Sequence, residues 1–256
     1  MTLLLDERRI AMLAEFGIRW QNASSRGEDA AESMAVQPDA LEARETAPIS
    51  APVALSPRVT GVESMGWDAL ADAVASCRAC KLCGSRRNTV FGVGDREADW
   101  LIVGEAPGEH EDIQGEPFVG HAGKLLDNML RALGLRRDEK VYIANVLKCR
   151  PPGNRNPEPE EVAQCEPFLR RQVDLLRPKI IVAMGRFAVQ TLLGTGDAIG
   201  KLRGQRHSYA GVPVVVTYHP AYLLRNLPDK AKAWADLCLA RDIAAQADSA
   251  APRIAS

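Results

Sequence analysis

A chain of 256 residues with 46% hydrophobic and 25% charged residues has the composition of a folded globular protein, which excludes a collagen-like, wholly disordered or membrane-bundle chain. No apolar run reaches the roughly 20 residues that cross a bilayer, and Leu3–Leu5 is cut short by Asp6-Glu7-Arg8-Arg9, so we expect neither a transmembrane helix nor a signal peptide, and a cytoplasmic protein. The formal net charge of −1 hides an asymmetry, −9 over residues 1–120 and +8 over 121–256, which permits either a basic face for a polyanion or an ordinary solvated surface.

Residues 7–20 set charged and apolar positions at helical spacing and predict a short helix. From Gln21 to Thr60 the chain is rich in Ala, Ser, Pro and Glu and has no aromatic residue, the composition of a disordered linker. We expect residues 1–60 to lie outside a domain over 61–246, with a flexible tail over 247–256; the helix at 7–20 would then serve a protein partner. From Met65 onward Trp67, Leu70, Ala73 and Val74 recur at helical spacing up to Cys77, Cys80 and Cys83. Four short apolar runs follow, Trp100–Val103, Val141–Val146, Ile180–Ala183 and Val212–Thr217, alternating with helical patterns at 122–133, 159–176, 186–193 and 229–246. This alternation predicts an α/β fold, a three-layer α/β/α sandwich around a short, mainly parallel four-stranded sheet. Ligands of such sheets bind at the carboxyl ends of the strands, where this chain carries Gly104-Glu105-Ala106-Pro107-Gly108, Asn145 with Lys148-Cys149, Gly185, and His219-Pro220.

Six cysteines in a chain without a secretory signal point away from disulfides and toward metal or core. Cys77-x2-Cys80-x2-Cys83 precedes the strands, while Cys149 and Cys165 are separated by fifteen residues, the first at a strand end and the second on the next helix. Two distant pairs of this kind can converge on one four-thiolate site, and spacing alone does not separate zinc from an iron–sulfur cluster. Cys238, alone on the last helical pattern, reads as core. Two phosphate-binding motifs nearly match and fail. Gly92-Val93-Gly94 lacks the third glycine of a dinucleotide fingerprint, which would fall at Glu97, and Gly120-His121-Ala122-Gly123-Lys124 lacks both the first glycine of a phosphate loop, at Phe118, and a following Ser or Thr.

The segment GEAPGEHED at 104–112 places Glu105 and Glu111 beside two glycines at a strand's carboxyl end, and GEPFVG at 115–120 adds Phe118, which could stack on a flat ring. HPAYLLRN at 219–226 begins with a histidine at another strand end. Singly, each has an ordinary reading: Phe118 as core, His219 as a helix start, Leu223 and Leu224 as a buried helix face. Taken in order, GEAPG-x2-ED, PFVG, NVLKCRPP at 145–152, the cysteine fifteen residues on, and HPAYLLRN closely resemble the family 4 uracil-DNA glycosylases, the iron–sulfur branch of that superfamily. The resemblance runs from about Cys77 to Ala244.

The resemblance implies a 4Fe-4S cluster on Cys77, Cys80, Cys149 and Cys165, with Cys83 as an extra thiol. It implies a monomer that flips uracil out of single- or double-stranded DNA and hydrolyses its N-glycosidic bond, leaving an abasic site for base excision repair. Ala106, Phe118 and Asn145 would bind the base, with Phe118 stacked on the ring and the Asn145 amide reading O4 and N3–H, a pattern that cytosine reverses. His219 would donate to uracil O2 and stabilise the departing anion, and Glu105 and Glu111 would stabilise the sugar cation and orient water. Leu223, Leu224 and Arg225 would form the loop that enters the minor groove. Relatives that trap uracil-DNA covalently carry a basic, histidine-containing insertion after the region of Cys149, where this chain continues RPPGNRNPEP, so turnover is expected. The reading of a different class is a non-catalytic iron–sulfur or zinc module for nucleic acid, in which Glu105 and Glu111 merely cap loops.

Overall fold

Trp100–Gly104 (β2), Val141–Asn145 (β3), Ile180–Met184 (β4) and Val212–Thr217 (β6) are the four expected strands, and in this computed structural model they form the parallel centre of a sheet. The structure describes residues 57–250. The helix expected at 7–20, most of the linker expected before Thr60, and residues 251–256 lie outside the described residues.

Among the described residues the sheet has six strands, not four, in the order β1-β3-β2-β4-β6-β5. The two additional strands are antiparallel edges: Val93–Gly94 (β1) pairs with β3, and Arg206–Tyr209 (β5) with β6. Neither carries an apolar run. β1 is two residues flanked and ended by glycine, and β5 reads Arg-His-Ser-Tyr with alternate residues exposed, as suits an edge that needs only one buried face.

Alternation along the inner strands sends side chains to two separate cores. Leu101, Val103, Tyr142, Ala144, Ile181, Ala183, Val214 and Val216 pack under helices Trp67–Ser76 (α1), Pro159–Leu176 (α4) and Arg186–Leu193 (α5) through Leu70, Val74, Phe168, Leu169, Val189 and Leu192. Ile102, Ile143, Val182 and Val215 face the opposite way, against Leu126 and Leu130 of His121–Ala132 (α3) and Leu237, Ala240 and Ile243 of Lys230–Ala250 (α8). Both faces are covered, so the strands are apolar and buried over their inner registers, with polar Asn145 and Thr217 only at the carboxyl ends of β3 and β6. The helix expected at 229–246 continues to Ala250. Three short helices have no expected counterpart: Glu109–Gln114 (α2), Ile199–Leu202 (α6) and Pro220–Leu223 (α7). Among the described residues no helix is long and apolar enough to cross a membrane.

Because β2, β3, β4 and β6 run parallel, their carboxyl ends lie along one edge. That edge holds Glu105, Asn145, Gly185 and His219, one from each strand end.

Candidate active site and cysteine centre

The four strand ends and the loops after them enclose a cleft of about 460 Å³ lined by Glu105, Ala106, Glu111, Phe118, Asn145, His219 and Arg225, together with Tyr222, Asn154 and Arg155, within the size range of small-ligand sites. Seven of the residues expected to act on DNA therefore face one space. Tyr222, Asn154 and Arg155 were not singled out from the sequence, although Tyr222 sits inside HPAYLLRN and the other two inside the NRN that follows the KCRPP segment.

Gly104 ends β2 at the floor of the cleft. A side chain there would strike the Asn145 Oδ1 atom and the Phe118 ring, whose Cζ would lie 2.7 Å from its Cβ. The Asn145 amide hangs over this bare backbone, almost fully buried, and makes no hydrogen bond to another described residue. Phe118 is buried with a left-handed backbone, φ 56°, a conformation uncommon for an aromatic residue. Arg137 holds it there: its guanidinium donates to the carbonyls of Pro117 and Phe118, both at 2.8 Å, and to Asp127 Oδ1 at 3.0 Å. The Phe118 and His219 rings lie nearly parallel, centroids 5.3 Å apart with 26° between planes.

His219 caps the short helix α7, its Nδ1 accepting from the Ala221 N–H at 3.1 Å. An accepting Nδ1 leaves the proton on Nε2. Burial pushes the imidazole down to about 4, opposed by Glu111 and assisted by Arg225, so at neutral pH the ring is an uncharged donor. Helix-start residue and cleft residue are thus one role: the cap sets the tautomer. Gly185 makes room beside the ring, since a Cβ at its φ of 91° would stand 3.1 Å from His219 Cβ.

The two acids differ. The Glu105 carboxylate makes no hydrogen bond among the described residues, and burial raises it to about 7, with Arg186 pulling the other way. Glu111 is committed to the loop: Oε2 accepts from Gly108 N–H at 3.1 Å, and Oε1 from Val119 and Gly120 N–H at 2.9 and 3.2 Å. The paired expectation for Leu223 and Leu224 also divides. Leu223 is 1% exposed, beside Trp234 and Leu237, whereas Leu224 is 42% exposed; a side chain already packed in the core cannot also be a free wedge. Arg225 is exposed at the rim.

On the other side of the sheet, Cys77, Cys80, Cys83, Cys149 and Cys165 line one cavity, with Arg86, Lys148 and Gln164. Cys238 is elsewhere, half-buried on α8. Among the described residues no group of three or more His, Cys, Asp or Glu is placed to hold a metal ion. Burial raises Cys149 to about 11 and Cys165 to about 12, and raises Cys80, with the neighbouring thiols adding to each, so thiolates here require positive charge close by. The cavity supplies one cation and one further donor: Arg86 donates to Cys149 Sγ at 3.0 Å while bonded to the carbonyls of Ala75 and Cys77, and the backbone N–H of Lys148 donates to Cys165 Sγ at 3.4 Å. Gln164 Oε1, wholly buried in this cavity, has no hydrogen-bond partner among the described residues. Five thiols and a cation fit a bound group that carries negative charge on sulfur.

The family model described as the uracil DNA glycosylase superfamily matches residues 91–238. The chain is 48% identical over 159 residues to a type-4 uracil-DNA glycosylase from Archaeoglobus fulgidus, covering 59% of this chain and 79% of the relative. It is 45% identical over 170 residues to one from Saccharolobus solfataricus, covering 63% and 78%, and 46% identical over 159 residues to one from Thermotoga maritima, covering 61% and 82%. Strand ends, cleft and sequence likeness converge, and the chain belongs to the uracil-DNA glycosylase superfamily, in its type-4 branch.

Proposed function

We infer that this protein is a DNA N-glycosylase that excises uracil, hydrolysing the bond between base and deoxyribose and leaving an abasic site for repair. The observation that carries the reading is the cleft at the strand ends, where an unpartnered amide, an aromatic ring, a neutral histidine donor and a free acid meet in a space of about 460 Å³. A base inside a duplex is out of reach, so the nucleotide must be flipped into such a space. There Asn145 would read O4 and N3–H of uracil; cytosine would leave a buried polar group unpaired, at about 1–3 kcal/mol. Phe118 would form the wall against the base, with Ala106 beside it.

Bond cleavage develops negative charge on the base and positive charge on the sugar. The uncharged Nε2–H of His219 would donate to uracil O2 as that charge appears. Glu105, whose carboxylate makes no hydrogen bond among the described residues, would face the sugar cation and orient the attacking water, while Glu111 would act through the loop it holds. Leu224 would enter the gap left by the flipped base, Leu223 would brace it from the core, and Arg225 would hold phosphate.

For the cysteine centre we propose a 4Fe-4S cluster on Cys77, Cys80, Cys149 and Cys165. A cubane takes one thiolate on each iron, and therefore donors spread more widely than four around a single zinc. The cluster would supply the charge balance that lets buried thiolates exist and would join the segment before the sheet to β3 and α4. Working as a cytoplasmic monomer on uracil-containing DNA completes the proposal.

Release of free uracil from uracil-containing oligonucleotides, single- and double-stranded, with no added metal ion or nucleotide, tests the reading. Binding to such DNA without release would leave the non-catalytic module in its place. Expected alongside is a single-turnover rate lowered roughly 10²–10³-fold by His219→Ala, with DNA affinity nearly kept; a loss confined to affinity would make His219 a binding group.

A further inference from the structure

Lys148 is 1% exposed and stands between the two centres described above. Its ammonium donates to the backbone carbonyl of Asn145 at 2.8 Å and to Gln172 Oε1 at 2.6 Å. Both acceptors are neutral, and no described Asp or Glu pairs with it. On the other side, its own N–H reaches Cys165 Sγ at 3.4 Å, its carbonyl accepts from Val90 N–H at 2.8 Å, and the next residue is Cys149. Gln172 lies two turns beyond Cys165 on α4 and is fixed in turn, its Nε2 donating to the Phe91 carbonyl at 3.0 Å.

A buried ammonium surrounded by neutral acceptors lacks a counter-charge, and a buried charge persists only where one is supplied. The groups whose charge acts on it are Cys165 and Cys149, which line one cavity with it. At its other end the same side chain grips the carbonyl of Asn145, one bond from the Cα that carries the amide in the cleft.

We propose that Lys148 is a positioning residue joining the cysteine centre to the base-reading strand end: its cation answers the charge of the thiolate-bound cluster, and its hydrogen bond holds Asn145 in register with the base. The proposal rests on the cluster and Asn145 readings above. Cluster and uracil recognition are then linked through one side chain, and the cluster needs no contact with DNA to influence the reaction.

Two variants of the full chain separate this from a space-filling role. Lys148→Met keeps the length and removes charge and donors. Gln172→Glu gives the ammonium a carboxylate while leaving its bond to Asn145. With Lys148→Met we expect single-turnover uracil release to fall about tenfold or more, DNA affinity to stay within about twofold, and the cluster's reduction potential, measured by voltammetry without DNA, to become more negative as a nearby cation is lost. With Gln172→Glu the potential should move the same way while the rate stays near that of the parent. A Lys148→Met protein with parental rate and potential, or altered only in melting temperature, overturns the proposal. Should that variant not fold, an unshifted potential in Gln172→Glu overturns it instead. Parent protein holding one zinc and no iron would overturn the cluster reading and with it the counter-charge half; the Lys148→Met rate would still decide the link to Asn145.

Discussion

Glu105 and Glu111 share one loop and meet opposite surroundings, and the pH dependence of the reaction should report the difference. Glu105 is raised to about 7 by burial, so the carboxylate needed opposite a sugar cation is lost as pH falls through that value. Below about pH 7 the single-turnover rate should drop about tenfold per pH unit, with a plateau above; His219, held down to about 4, adds no limb between pH 5 and 9. Glu105→Gln should flatten and lower the profile. The same shift makes a stability statement of defined sign. A carboxyl whose folded value is raised takes up a proton on folding between its unfolded value near 4.5 and about 7, so its favourable contribution, complete at low pH, is lost as pH rises through 7. Glu105→Gln should therefore melt higher than the parent at pH 8, with the gap closing toward pH 4; equal melting temperatures at both would remove Glu105 from the cleft's electrostatics. The tandem of acids was legible from residues 104–112, whereas their division of labour was not, because only the folded loop aims the N–H groups of Gly108, Val119 and Gly120 at one carboxylate and none at the other.

At the scale of an element, the turn after β6 sorts two identical neighbours. The α7 cap places Leu223 into the core against α8 and leaves Leu224 outside. Leu223→Ala should cost about 2–5 kcal/mol of stability, as a buried large-to-small change does, and lower the melting temperature accordingly. Leu224→Ala should melt like the parent and lose uracil release from double-stranded more than from single-stranded DNA, since only a duplex has a gap to fill. Equal losses on the two substrates would take the wedge away from Leu224. Periodicity places Leu223 and Leu224 near a strand end but cannot divide them: a four-residue helix is shorter than the pattern needed to define its buried face. The edge strands escaped for a related reason. Arg206–Tyr209 alternates without an apolar run, and pairing with β6 supplies what its composition does not.

Across the whole molecule, the cysteine centre and the N-terminal boundary are the features to test. The purified protein should be brown, with broad thiolate-to-iron absorption near roughly 400 nm. Cys149→Ser should lose iron and solubility, because that ligand joins β3 to segments distant in sequence, while Cys238→Ser, out on α8, should keep the parental iron content; a colourless protein with one zinc would refute the cluster. For the boundary, we propose that a chain beginning at Gly61 keeps its iron and its uracil release on short oligonucleotides. It retains Val62 in the core and the Met65 carbonyl on Arg171, and gives up the Arg58 bond to the Ala163 carbonyl at 3.2 Å, a loss of about 1 kcal/mol. Residues 1–60 carry a net −3, which repels phosphate, so they are better suited to a protein partner than to DNA. Lost activity with the cluster intact would place them on the DNA-binding surface.

What the sequence determined by itself is whatever follows from local pattern. Four apolar runs bounded by helical periodicity define the parallel centre, since a strand covered on both faces must be apolar at every position. GEAPG, PFVG, KCRPP and HPAYLLRN mark the ligand edge, since parallel strands put their carboxyl ends on one side. Only tertiary structure decided the rest, because burial, pairing and pKa depend on neighbours that are remote in the chain. Arg137 reaches back twenty residues to hold Pro117 and nineteen to hold Phe118, and Gln172 crosses from α4 to meet Lys148. Lys148 illustrates the limit: it stands in plain view inside NVLKCRPP, yet no local pattern shows a lysine fully buried between a thiol-lined cavity and a base-reading amide, since the elements that bury it come together only when the sheet is assembled.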